Sequence, residues 1–301
     1  MNFIVTGSNG FLGQHVIRFI RRLNGKILTI GRHPNKDNSS IFLNINDFKK
    51  QSFNNSIRKF KPDYIFHFAG DTNPIDNKVS EFVNFRFGLS LLNILEDLGL
   101  DEKVKCLFLG TAAEYGKILP EACPLKENNF LKATSLYGKS KAKQTKKALE
   151  WSSDKRKIIV LRPFSVLGEN MSLTSAFGRF IDQINANDES GFLRSGNLNV
   201  YRDFIDVSDL IEIIWKLINN NAAYGQVYNI CQGKPILLLD MVRYLLLKTE
   251  SNLKISNFHE KRIENDIGVI YGDNTKLKKI IGDFKFIYWK ASIDRILENL
   301  K

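Results

Sequence analysis

The chain has 301 residues, of which 43% are hydrophobic, 25% charged and 11% aromatic. That is a globular composition, and it excludes a disordered chain or a fibrous repeat. The net charge is +12, but the lysines are spread along the whole chain without a basic arm. This argues against a nucleic-acid or anionic-membrane protein, and a phosphorylated ligand would use the same positive field. No apolar run approaches the roughly 18 residues that span a bilayer, and no charged-then-apolar leader opens the chain. Cys106, Cys123 and Cys231 lack paired metal-ligand spacing. A cytoplasmic protein with free thiols and no metal site is expected.

Residues 2–5 read as a short buried strand. Residues 11–23 place Leu12, Val16, Phe19, Ile20 and Leu23 at helical spacing. Residues 26–30 form a second short apolar run, and 62–68 are strand-like. Residues 83–98 predict a helix ending at Gly99, and 104–109 another buried strand. A lysine-rich helix follows over Leu136–Trp151, then a strand over 157–161 stopped by Pro163. Strands alternating with helices predict an α/β fold, a doubly wound parallel sheet with helices on both faces. Past Pro163 the alternation turns irregular. Helices are expected over 177–184, 207–218, 237–247 and 292–300, a strand over 227–230, and a polar stretch without a clear period over 187–199. The expected organisation is a dinucleotide-binding Rossmann domain over 1–163. A smaller mixed substrate-binding region over 164–301 should cover the carboxyl edge of its strands, with parts of about 200–230 returning to the core.

Thr6-Gly7-Ser8-Asn9-Gly10-Phe11-Leu12-Gly13 follows the first strand and opens the first helix. Gly7 permits the tight turn, Gly10 lets backbone approach a pyrophosphate, and Gly13 lets the helix pack on the strand. The helix N-terminus adds unpaired N–H groups and a partial positive charge. The second strand runs into Gly31-Arg32-His33 with no carboxylate to bond a ribose 2′-hydroxyl. Arg32 instead suits a 2′-phosphate, so NADP(H) is the expected cofactor. Tyr137 and Lys141 stand at i and i+4 on one helix face. A free phenol titrates near pH 10. A neighbouring ammonium and the nicotinamide's charge favour the phenolate, so Tyr137 can exchange a proton with a carbonyl. Thr111, just past the strand ending at Leu109, can bond the same substrate oxygen.

These residues, in this order, resemble the extended short-chain dehydrogenase/reductase superfamily acting on nucleotide sugars. The resemblance also takes in Pro62-Asp63-Tyr64-Ile65-Phe66-His67-Phe68-Ala69-Gly70, Asn84, Leu161-Arg162-Pro163-Phe164 and the segment 201–209. Within the superfamily the chain is most similar to the GDP-4-keto-6-deoxy-mannose reductases that form GDP-rhamnose. Glu114-Tyr115-Gly116-Lys117, Gly196-Asn197-Leu198, 227–231 and 271–277 carry that similarity. It implies a cofactor site of Gly7, Asn9, Gly10, Phe11, Leu12, Gly13, Arg32, Asn44, Ile45, Phe68, Ala69, Gly70, Asn84, Tyr137, Lys141 and Pro163. It implies a catalytic trio of Thr111, Tyr137 and Lys141, and substrate contacts from Thr111, Glu114, Ser165, Arg202 and Arg262. Arg202 would pair with the diphosphate, with Lys261 or Arg262 assisting. Ser165 stands where the family has asparagine, Asn44 where it has aspartate, and Lys261-Arg262-Ile263-Glu264 where it has an Arg-Pro pair.

Dehydratases of the superfamily carry an acidic pair after the threonine, and here those places hold Ala112 and Ala113. The cysteine of the reductases that also epimerise is missing between Gly110 and Gly116. The acidic strand end of the 4-epimerases is missing too. Simple reduction of a C4 keto group on a nucleotide-linked 4-keto-6-deoxyhexose remains. A 4-epimerase and a non-enzymatic NADP sensor are the alternatives. The helices over 83–98 and Leu136–Trp151 correspond to the pair that forms a four-helix dimer interface in similar proteins. With Leu91, Leu92 and Leu95 as an apolar stripe, a homodimer is expected.

Overall fold

The computed structural model describes residues 1–34, 40–72, 77–172, 175–186, 191–257 and 268–300. The first half alternates strands and helices. These are β1 (Asn2–Thr6), α1 (Phe11–Arg22), β2 (Lys26–Gly31), β3 (Ile41–Asn44), α2 (Gln51–Phe60) and β4 (Tyr64–His67). Next come α3 (Asn77–Glu81), α4 (Phe87–Asp97), β5 (Lys105–Leu109), α5 (Leu136–Trp151) and β6 (Ile158–Pro163). The second half holds β7 (Ser165–Leu167), α6 (Ala176–Asn185), β8 (Phe192–Ser195), β9 (Tyr201–Arg202), β10 (Phe204–Asp206) and α7 (Val207–Ile218). It closes with β11 (Gln226–Ile230), β12 (Ile236–Leu237), α8 (Leu238–Lys248), β13 (Lys254–Asn257), β14 (Val269–Ile270), α9 (Thr275–Ile281) and α10 (Trp289–Glu298).

Seven parallel strands form the central sheet in the order β11-β6-β5-β4-β1-β2-β3. The chain starts in the middle, builds outward through β2 and β3, then returns to add β4 on the other side of β1. This is the doubly wound Rossmann arrangement, and its crevice lies at the carboxyl ends of β1 and β4. Strands buried on both faces should be apolar throughout, and β6 is buried at every position. Alternation sorts the side chains. Phe3 and Val5 of β1 join one face, with Val16, Ile17 and Ile20 of α1 and Leu210, Ile214 and Leu217 of α7. Ile4 joins the other, with Phe53 and Ile57 of α2, Phe87, Leu91, Leu92 and Leu95 of α4, and Ala148 of α5.

This packing corrects one expectation. Leu91, Leu92 and Leu95 are at most 1% exposed, and they cover the sheet rather than offering a stripe to a second subunit. The outward face of α5 instead presents Lys139, Lys143, Lys146 and Lys147 to solvent. The helix expected over 83–98 also differs. It is broken by one turn of π-helix over Phe82–Arg86 between α3 and α4.

A second apolar core, with Phe177, Phe180, Leu193, Phe204, Met241, Trp289 and Ile293, builds the smaller region. Asp203 pins it above the sheet edge. This carboxylate is 1% exposed and accepts the backbone N–H groups of Gln232 and Gly233 at 2.8 and 2.9 Å. No helix among the described residues is long and apolar enough to cross a membrane.

Candidate active site

The glycine turn is built for close approach. Gly7 has φ +68°, and a Cβ there would stand 2.7 Å from the carbonyl of Phe68. A Cβ on Gly13 would stand 2.2 Å from the Gly7 oxygen. Only glycine meets these two demands, one conformational and one steric. Gly10 then caps α1 without a side-chain hydrogen bond. The first N–H groups of the helix are left for a ligand, as a pyrophosphate requires. Thr6 ties this turn to β4: its Oγ1 accepts from Ala69 N at 3.1 Å and meets His67 Nδ1 at 2.9 Å.

The loop after β2 is stitched beside the cradle. Asn9 Nδ2 donates to the carbonyls of His33 and Pro34 at 3.1 and 3.2 Å, and Arg32 is exposed there. Asn44 lies beside Gly31 across the β2–β3 pair. Its Oδ1 accepts from Asn46 N at 2.9 Å, so it also shapes the turn that buries Ile45. Asn84, fully buried inside the π-turn, clamps the chain after Gly70: its Oδ1 accepts from Asp71 N at 2.6 Å and its Nδ2 donates to Asp71 O at 3.0 Å. A π-turn is a common device for aiming a side chain at a functional site. Phe68, Ala69 and Gly70 line the end of β4, and Pro163 closes β6. These residues fit a dinucleotide lying across the crevice.

Thr111 opens a short 3₁₀ turn over Ala112–Glu114 as part of a capping box. Its Oγ1 accepts from Ala113 N at 3.2 Å, while Glu114 Oε1 accepts from Thr111 N at 3.0 Å. Tyr137 sits in the first turn of α5 and shares a hydrogen bond with the Thr111 side chain. Lys141, one turn on, is 1% exposed. Its ammonium donates to Ala69 O at 3.2 Å and to Gln144 Oε1 at 3.0 Å. Thr111, Tyr137 and Lys141 thus meet beside the cradle.

Burial dominates the electrostatics of Tyr137 and Lys141. Burial pushes the Tyr137 phenol up to about 12, with the Thr111 bond opposing and the Glu114 charge adding. Burial also brings the Lys141 ammonium down to about 8, with Glu114 opposing. The lysine is turned onto Ala69 and Gln144, so it does not lower the phenol. Tyr137 is held as an acid.

Glu114 is also corrected. It is fully buried, and its carboxylate is committed to Arg162 Nε at 2.8 Å, Thr145 Oγ1 at 2.9 Å and Thr111 N. It braces the site from below and offers no oxygen to a sugar. On the substrate side, a cavity of ≈ 540 Å³ is lined by Ser165, Leu167, Phe180, Arg194, Asn197 and Arg202 among others. Arg202 Nη1 donates to its own neighbour, Tyr201 O, at 2.8 Å. Arg262 and Lys261 lie outside the described residues. Sequence reasoning missed Gln144, although residues 137, 141 and 144 share one helix face, a spacing that could have found it. It missed Arg194 altogether.

Residues 3–231 match the NAD dependent epimerase/dehydratase family. The chain belongs to this family. GDP-6-deoxy-D-talose 4-dehydrogenase of Aggregatibacter actinomycetemcomitans is 26% identical, over 99% of this chain and 98% of that protein. GDP-6-deoxy-D-mannose reductase of Pseudomonas aeruginosa is 24% identical, over 79% of this chain and 80% of its own length. Among solved structures, RMD from Pseudomonas aeruginosa complexed with NADPH superposes with a TM-score of 0.80 at 22% identity, covering 99% and 98% of the two chains. The UDP-glucose 4-epimerase of Thermotoga maritima with UDP-glucose superposes at 0.85 and 18% identity, over the whole of both chains. The shared architecture is therefore the Rossmann fold of this family.

Proposed function

We propose that the protein is an NADPH-dependent 4-ketoreductase acting on a GDP-linked 4-keto-6-deoxyhexose, a cytoplasmic enzyme of surface-polysaccharide synthesis. One observation carries the reading. Thr111, Tyr137 and Lys141 converge beside the cradle, while the next residues add no acid: Ala112 and Ala113 have none to give, and Glu114 is spent on Arg162. A dehydratase needs a second acid at that place to expel a hydroxyl. The similarity to two GDP-sugar enzymes supports the base and the deoxysugar.

In this reading Gly7, Gly10 and the α1 N-terminus would hold the dinucleotide's pyrophosphate, Arg32 would meet its 2′-phosphate, and Asn84 holds the loop after Gly70. When bound, NADPH would supply the hydride. Tyr137 donates its phenolic proton to the C4 oxygen, and burial keeps that proton in place across the neutral range. Thr111 orients the same oxygen, and Lys141 holds the ribose and returns a proton toward the phenolate. Arg202 binds the diphosphate from the cavity side, with Arg262 and Lys261 expected to assist.

NADPH consumption against GDP-, dTDP-, CDP- and UDP-linked 4-keto-6-deoxy sugars tests this. Preferential turnover of the GDP sugar to a 6-deoxyhexose is expected. Interconversion of UDP-glucose and UDP-galactose without net NADPH consumption would instead select the epimerase reading, which the similarity to UDP-glucose 4-epimerases keeps open.

A further inference from the structure

Lys141 has three N–H bonds to place, and the protein takes two of them, at Ala69 O and Gln144 Oε1. Gln144 is itself 1% exposed. An apolar side chain would fill that space without the cost of burying an amide. The Gln144 amide nitrogen has no hydrogen-bond partner among the described residues, and neither has Nε2 of the fully buried His67. Both nitrogens flank Gly88 of α4, where a Cβ would stand 2.9 Å from each. The absence of a side chain at 88 lets them be neighbours. From His67 the polar contacts continue through Nδ1 to Thr6 Oγ1, then to Ala69 N. The peptide group of Ala69 closes the circuit, since Ala69 O also holds the ammonium.

We propose that Gln144 is a positioning residue, whose carbonyl holds the Lys141 ammonium against Ala69 and leaves its remaining N–H for the cofactor ribose beside Gly70. The proposal rests on the reading of Lys141 as the cofactor-binding lysine. Among the described residues, three other titratable groups lie around Lys141. Glu114, from the turn after β5, is committed to Arg162. His67, from β4, is held neutral by burial and by the lysine's charge. Tyr137, from α5 itself, stays protonated. The Gln144 amide is therefore the contact that can be changed without breaking a buried ion pair.

The test is the NADPH dissociation constant, measured by calorimetry from neutral to alkaline pH for the wild type, Gln144→Met, Gln144→Glu and Lys141→Met. Wild-type affinity should fall as pH rises through about 8, where the ammonium discharges. Gln144→Met removes an acceptor from a charged donor and should move that fall down by about one pH unit. Gln144→Glu places a carboxylate there and should move it up by at least as much. A glutamine that only fills space would leave the limb unmoved in Gln144→Met, and Gln144→Glu, which adds a charge whatever the amide does, checks that the limb belongs to Lys141. If Gln144→Met keeps the wild-type profile while Lys141→Met loses the limb, the role of Gln144 is overturned and that of Lys141 stands. If Lys141→Met itself binds with the wild-type profile, the reading of Lys141 fails, and Gln144 with it.

Discussion

Tyr137 and Glu114 lie close together and should fail in different ways. Without its hydroxyl, Tyr137→Phe leaves the developing alkoxide with no adjacent acid. General acid catalysis contributes about 10²–10⁴-fold, so turnover should fall by that order, with the melting temperature and NADPH affinity near wild type. Glu114→Gln strips the charge from the partner of a guanidinium that is 4% exposed. Breaking a buried pair on one side costs roughly 3–5 kcal/mol, so this variant should show a large drop in melting temperature. Steady-state kinetics and a thermal melt on both variants check the contrast. The pH dependence follows from the same residues. Tyr137, raised to about 12, stays protonated at every working pH. Lys141, lowered to about 8, is charged below that point and neutral above it. Reduction should therefore lose its efficiency as pH rises through about 8, and a pH series of kcat/KM with NADPH checks the direction.

The helix and strand ends decide cofactor choice. β2 ends in Gly31 and Arg32 and is paired with Asn44, with no carboxylate among the described residues of either strand end. Arg32→Asp should weaken NADPH binding by roughly 10–100-fold, the worth of a charge-assisted pair, and leave NADH binding little changed. Equal wild-type affinity for the two cofactors would contradict the assignment. At this scale the sequence was legible where periodicity was strong. α5 and α7 stand where their patterns place them. It was silent at α2, where only Phe53 and Ile57 are buried, Phe60 is half-buried and the remaining positions are polar. β3 has four residues, none fully buried, too short for alternation to show. The π-turn at Phe82–Arg86 was invisible because one extra residue shifts a helical pattern without interrupting it. The catalytic trio was legible because its chemistry fixes residue types and spacing. The burial of Glu114 was not, because it depends on Arg162, 48 residues away and on another strand.

For the whole molecule, six of the seven strands of the central sheet, all but β3, were legible in the apolar runs, while the second region depends on contacts the sequence does not display. Asp203 collects backbone N–H groups from segments far along the chain. Assembly is also set at this scale. A homodimer through α4 and α5 is proposed, and its association would have to bring together faces carrying Lys139, Lys143, Lys146 and Lys147. Salt screens such repulsion within about 10 Å at 0.1 M. Light scattering should show association increasing from low to high salt, and a monomer at both would remove the dimer.

The central claim, reduction at C4 with Tyr137 as acid, is tested most directly by isotope transfer. NADPH deuterated at the nicotinamide C4 position is incubated with the protein and GDP-4-keto-6-deoxymannose, and the sugar is read by NMR. The account predicts one deuterium at C4 of a 6-deoxyhexose, formed in step with cofactor oxidation and suppressed by Tyr137→Phe. Recovery of the keto sugar unreduced, or a product without deuterium at C4, would contradict it.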